Sequence, residues 1–110
     1  MAFEHEGILQ YSADELKQLL AEGKVRVIDV RTPEEYADGH IPGVPLRPMQ
    51  VVESWAHEIR PDDAVVFVCR SGRRSQTVAK WFWDRGFRQV ANLYGGMLAW
   101  NGEVERGAAP

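Results

Sequence analysis

Chemistry in this chain concentrates at Cys69, the one cysteine among 110 residues. Arg70, Ser71, Gly72, Arg73, Arg74 and Ser75 follow it directly, so three guanidinium groups crowd one thiol. Cations and convergent backbone amides favour thiolate over thiol, and the thiolate is the nucleophile. A plainer reading exists. A lone cysteine is commonly a small buried hydrophobe, and an arginine cluster is commonly a solvated face.

The flanking elements separate the two readings. Ala64 to Val68 is a run of β-branched and aromatic residues, the pattern of a buried strand, and it stops at Cys69. Ser75 to Arg85 then carries Val78, Ala79 and Phe82 at helical spacing. A loop entering a helix aims unpaired N–H groups and the positive end of the helix dipole at its own concavity, which suits an anion. Arginines in a first helical turn oppose that dipole unless an anion faces them. Gly72 allows a turn that a side chain would obstruct. The stretch therefore reads as a preformed nucleophile inside an anion-binding loop.

Ile8 to Tyr11 reads as a first strand or edge. Ser12 opens a helix through the capping box Ser12-x-x-Glu15, with Leu16, Leu19 and Leu20 as its buried stripe and Gly23 as its stop. Val25 to Val30 is a second strand ending at Asp29, and Thr32-Pro33-Glu34-Glu35 repeats the helix-start signal before Gly39. Val44 to Leu46 reads as a short strand, and Gln50 to Ile59 as a helix with Val51, Val52, Trp55 and Ile59 inward. Trp81 and Trp83 cannot both face the same core. Val90 to Leu93 is the last strand, Gly95-Gly96 turns into a short helix through Trp100, and Glu103 to Pro110 reads as a frayed tail. Strands alternating with helices imply an α/β domain with a parallel sheet covered on both faces, in which ligands gather at the strands' C-terminal ends. Asp29, Cys69 and Tyr94 all lie at or just after such ends, where one pocket would gather them.

Composition sets the bounds. The length suits one domain, residues 1–110 with a core of about 8–102, large enough to bury a core without crosslinks. Hydrophobic residues at 45% and charged ones at 26% are ordinary for a soluble globular protein. A net charge of −3 gives no pull toward nucleic acid or an anionic membrane, so the basic loop is better matched to a small anion. The N-terminus has neither the basic patch nor the apolar run of a signal peptide, and no stretch approaches a membrane-spanning length, so a cytoplasmic, reducing setting is the expectation. One cysteine permits no internal disulfide and argues against a cysteine-based metal cluster, so no metal or cofactor is expected. It also provides no resolving partner, so a covalent intermediate on Cys69 must be discharged by a second molecule.

Cys69-Arg70-Ser71-Gly72-Arg73-Arg74-Ser75 resembles the active-site loop of the rhodanese family. Two further stretches agree in order: Asp29-Val30-Arg31 through Gly39-His40-Ile41-Pro42-Gly43, and Asn92-Leu93-Tyr94-Gly95-Gly96 through Ala99-Trp100. The match runs from about Tyr11 to Trp100. It implies a three-layer α/β/α fold with a mainly parallel sheet of about five strands, and a double displacement: Cys69 takes the outer sulfur of thiosulfate or a similar donor as a persulfide, which cyanide, a thiol or a sulfur-relay protein removes. The backbone N–H groups of Arg70 to Ser75 would hold the persulfide. Arg70, Arg73 and Arg74 would attract the donor, with Arg74 the best placed to brace the loop instead. Some members carry lysine where Ser71 stands, and Pro45-Leu46-Arg47-Pro48-Met49 departs from the usual pocket edge.

Asp29 and Arg31 form either a structural ion pair or part of the site; an ion pair is the stronger reading of the residues, and the resemblance implies a supporting place beside the loop. His40 invites a general-base role, but its turn-rich Gly-His-Ile-Pro-Gly setting favours structure. Two rivals remain. Cysteine phosphatases and arsenate reductases also hold a thiolate in an anion loop, but with one residue more between cysteine and arginine than the four between Cys69 and Arg74. A rhodanese-like binding or regulatory module is the other, and such units often lack the cysteine.

Overall fold

Two capping boxes set the first helices. Ser12 Oγ accepts from the Glu15 amide while Glu15 Oε1 accepts from the Ser12 amide, opening α1 (Ala13–Ala21). Thr32 and Glu35 repeat the exchange ahead of α2 (Pro33–Asp38). In the computed structural model, which describes residues 2–109, these helices alternate with strands β1 (Phe3–His5), β2 (Ile8–Tyr11), β3 (Arg26–Asp29), β4 (Val65–Val68) and β5 (Val90–Leu93). The sheet runs β1-β2-β5-β4-β3, with β1 antiparallel to β2 and every other pairing parallel. This is the expected mainly parallel five-stranded α/β architecture, with helices on both faces.

The period-two alternation of a strand decides which face each residue serves. Val65 and Phe67 join Ile8, Ile28, Trp55, Val78, Ala79 and Phe82 in a core under α3 (Val52–Trp55) and α4 (Arg73–Trp83). Val66 and Val68 turn the other way, to Leu16, Val27, Ile41, Ala91 and Leu93. Counting on by two from Phe67, Cys69 falls on the α4 face, and it packs in that first core.

Several expectations are corrected. Val44 to Leu46 is no strand but a single bridge between Leu46 and Asp29, and the fifth strand is Phe3–His5. Gln50 to Ile59 is one α-helical turn between two 3₁₀ turns, Met49–Val51 and Ala56–Glu58, because the chain is pinned to its neighbours: the Met49 amide donates to Val30 O and Trp55 Nε1 to Pro48 O. Trp55 and Ile59 are buried, whereas Val51 is exposed. The stretch after Glu103 is tied down: His40 and Glu105 exchange both backbone hydrogen bonds, and the Gly107 amide donates to Ala37 O. Trp81 and Trp83 both pack at the edge of the core, their outer faces covered by Arg85 and Arg88 at 3.7 and 4.3 Å.

Candidate active site

Cys69 follows β4, and the loop through Gly72 turns the chain into α4. Gly72 makes that turn at φ 96°, in the left-handed region. Its amide donates to Cys69 Sγ at 3.1 Å, and Ser75 Oγ approaches the same sulfur at 3.2 Å. Unlike α1 and α2, α4 has no side-chain cap. Among the described residues, the amides of Arg70, Ser71, Arg73, Arg74 and Ser75 take no acceptor within the protein. Such orphan donors at a helix start are what an anion satisfies. Of the amides expected to ring the thiol, only that of Gly72 reaches the sulfur itself.

The outer wall of the loop is α5 (Gly96–Ala99). The Met97 amide donates to Cys69 O at 2.9 Å and the Leu98 amide to Arg70 O at 3.0 Å. With those two carbonyls drawn outward, the peptide planes of the loop are fixed. The approach is close enough to demand glycine: a Cβ on Gly96 would lie 2.5 Å from both carbonyl oxygens.

The three arginines divide. Arg74 is a brace, donating from Nη1 and Nη2 to Glu35 Oε1 and Oε2 at 2.7 and 2.8 Å. Its hydrogen bonds hold the Glu35 carboxyl down at about 2, and the pair raises Arg74 in turn. Arg70 and Arg73 are exposed, and neither has a carboxylate partner among the described residues. Ser71 is exposed beside them, while Ser75 is fully buried.

Arg73, Ser71 and Gly72 line a cleft of about 660 Å³ together with Phe3, Gln10, Gln76, Asn92 and Tyr94. Phe3 and Tyr94 meet edge to face across it, centroids 5.0 Å apart, and both are largely exposed. Cys69 lies behind this wall with 0% exposure, closed over by its own loop.

Asp29 does not join Tyr94 in that cleft. Its carboxylate accepts from the Arg31 amide and from Arg31 Nε and Nη2 at 2.8 to 3.1 Å, both side chains are buried, and Nη2 also donates to Gly39 O. The two residues form a buried ion pair. His40 is structural: stacked on Tyr36 at 3.6 Å, it donates from Nδ1 to Tyr36 O.

Sequence reading missed a buried amide ladder beneath the loop. Asn92 Nδ2 donates to Gln10 Oε1 and Gly72 O, Gln10 Nε2 to Gln76 Oε1 and Ile8 O, and Gln76 Nε2 to His5 O. Gln10 and Asn92 sit opposite one another across β2 and β5, a pairing invisible until the strands are ordered.

A thiol between a parallel strand and an uncapped helix, beside a loop of acceptor-free amides, places this site at the C-terminal end of a mainly parallel α/β sheet. The model of the rhodanese-like domain matches residues 12–103, and the chain belongs to that family. It is 37% identical over 99 residues to the putative sulfur carrier protein YrkF of Bacillus subtilis (strain 168), covering 89% of this chain but only 54% of that relative, about half its length. It is 33% identical over 100 residues to the thiosulfate sulfurtransferase GlpE of Pseudoalteromonas translucida (strain TAC 125), covering 91% and 90% of the two chains. The crystal structure of a rhodanese-like domain protein from Staphylococcus aureus superposes with a TM-score of 0.81 at 35% identity, covering 90% of this chain and 98% of the other. No helix among the described residues is long and apolar enough to cross a membrane.

Proposed function

We propose that the chain is a sulfurtransferase that carries sulfane sulfur on Cys69, from thiosulfate or a related anionic donor to cyanide, a thiol or a sulfur-relay protein. The observation that carries this reading is the set of acceptor-free amides of Arg70, Ser71, Arg73, Arg74 and Ser75 in the loop and first helical turn that follow a sulfur already held by Gly72 and Ser75. In the first half-reaction the Cys69 thiolate bonds to the outer sulfur of thiosulfate. The S–S bond within the donor breaks, and its electron pair leaves on sulfite. Negative charge then sits on the outer sulfur of the persulfide, where the loop amides stabilise it.

Arg73 at the cleft and Arg70 on the other side of the loop, without carboxylate partners among the described residues, draw the anionic donor toward the loop. Because the sulfur is enclosed, a small opening of the loop precedes attack. The thiol must be reduced to act, which suits a cytoplasmic setting. Four residues between Cys69 and Arg74, with Arg74 committed to Glu35, disfavour phosphoryl chemistry, which needs its arginine on the substrate.

The enclosed sulfur favours one second reading, a sulfur-carrier or regulatory module that binds without turning over. Intact-mass measurement after thiosulfate treatment, together with steady-state turnover of thiosulfate and cyanide, separates the two, because a carrier or binding module loads or binds without repeated turnover. The transferase reading expects one added sulfur, lost on addition of cyanide and absent in Cys69→Ser. An unchanged mass, or sulfur transfer surviving in Cys69→Ser, would overturn it.

A further inference from the structure

The Ser75 hydroxyl has one proton and two acceptors. Its oxygen lies 3.2 Å from Cys69 Sγ and 2.5 Å from Asn92 Oδ1. The Asn92 amide cannot turn to help, because Nδ2 is committed to Gly72 O at 3.0 Å and to Gln10 Oε1 at 2.9 Å. Gln10 is oriented in the same way, with Nε2 donating to Ile8 O and to Gln76 Oε1. Carbonyl oxygens only accept, so each anchor fixes which end of its amide is the donor. Asn92 therefore presents an oxygen to Ser75.

We propose that Asn92 is a positioning residue acting through Ser75: it keeps the hydroxyl proton while the Cys69 sulfur is neutral and yields it when negative charge reaches that sulfur. This rests on the reading of Cys69 as the sulfur-bearing nucleophile. While Sγ carries a proton or the outer sulfur of a persulfide, it needs no donor, and Ser75 satisfies Asn92. During discharge the acceptor's lone pair bonds to the outer sulfur, the bond from Sγ to that sulfur breaks, and its electron pair returns to Sγ. At that moment a rotation of one hydroxyl places a second donor on the leaving thiolate beside the Gly72 amide. The single proton cannot serve both acceptors, so Asn92 sets how readily the sulfur receives it.

Among the described residues, the charged groups around this loop are Arg70 within it, Arg73 and Arg74 on α4, of which Arg74 feels Cys69 and Asp29, with Glu35 on α2 and the Asp29–Arg31 pair at the end of β3. The test leaves all of them in place. With one cysteine in the chain, thiolate absorbance referenced to Cys69→Ser titrates this sulfur alone. Ser75→Ala, which removes a single oxygen, raises the ionisation midpoint by about one pH unit, a tenfold change in proton affinity, and slows cyanide discharge of the persulfide. Asn92→Ala removes the competitor and lowers the midpoint. The double variant Ser75→Ala with Asn92→Ala titrates like Ser75→Ala alone. An unmoved midpoint in Ser75→Ala, or an Asn92 shift that persists without Ser75, overturns the proposal. If Cys69 titrates as described but takes no sulfur from thiosulfate, the sulfurtransferase reading fails and the proton arrangement stands.

Discussion

Arg74 and Glu35 close a two-point bridge, at 2.7 and 2.8 Å, between the first turn of the helix that follows the cysteine loop and the capping box of α2. One carboxylate thus serves two ends: it accepts from the Thr32 amide and hydroxyl, and it fixes Arg74 in the first turn after the loop.

That double duty predicts an acid limb in the stability. Glu35 is held at about 2, below its ordinary 4.5, chiefly by its hydrogen bonds to Arg74. A carboxyl depressed on folding contributes stability that is whole above the ordinary value and is lost as pH falls toward the depressed one. Urea midpoints measured from neutral pH down should decline between those two values, and Glu35→Gln should flatten that part of the decline. The pair is partly solvated, so its share is about 1 kcal/mol. An unchanged profile in Glu35→Gln would show that the bridge contributes nothing.

Gly96 is where the outer wall meets the loop. At φ 58° with Cys69 O and Arg70 O 2.5 Å from a would-be Cβ, Gly96→Ala must displace backbone rather than a side chain. The cost should be about 2–4 kcal/mol in chemical denaturation. Sulfur transfer per folded molecule should fall as well, because the carbonyls that set the loop's peptide planes move with it. Full activity in Gly96→Ala would show that the loop holds its shape without α5.

Local signals were legible and distant pairings were not. Ser12 with Glu15, and Thr32 with Glu35, announced two helix starts within four residues of chain, and both formed. The valine-rich run into Cys69 announced its strand for the same local reason. Strand β1 was hidden because all three of its residues are exposed and it pairs only with β2. The remaining clue was the two-residue turn Glu6-Gly7, both at positive φ, the geometry of a tight hairpin. The Gln10, Gln76 and Asn92 ladder joins positions 66 and 82 residues apart, which no periodicity reports. The tail after Glu103 looked frayed because its hold on His40 is made by backbone, and backbone pairing leaves no mark in residue type.

The Asp29–Arg31 pair should be separable from catalysis. Both side chains are buried, and their hydrogen bonds run to each other and to Gly39 O. Asp29→Ala strands a buried guanidinium, at about 3–5 kcal/mol. The folded fraction should keep its KM for an anionic donor that enters beside Arg73, since neither residue lines that cleft and only Arg31 reaches the smaller hollow beside Arg70. A large KM change with little loss of stability would instead place Asp29 on the substrate.

Arg70 and Arg73 should behave in the opposite way. Both are exposed and, among the described residues, lack carboxylate partners, so replacing either with alanine removes no internal contact of consequence and should leave the urea midpoint within about 0.5 kcal/mol of the parent. Their charge acts on an approaching anion over a distance set by salt, about 8–10 Å at moderate ionic strength. Arg73 lines the larger cleft with Ser71 and Gly72, while Arg70 lines a smaller hollow with Met97 and Leu98 on the other side of the loop. Arg73→Ala should therefore raise KM for thiosulfate by about three- to tenfold at low salt and Arg70→Ala by less, with both differences shrinking as salt is added. Steady-state rates across a salt series check this ordering. A larger effect for Arg70 would move the point of donor entry to the α5 side of the loop, and a salt-independent effect would mean that the arginine makes a fixed contact rather than a field.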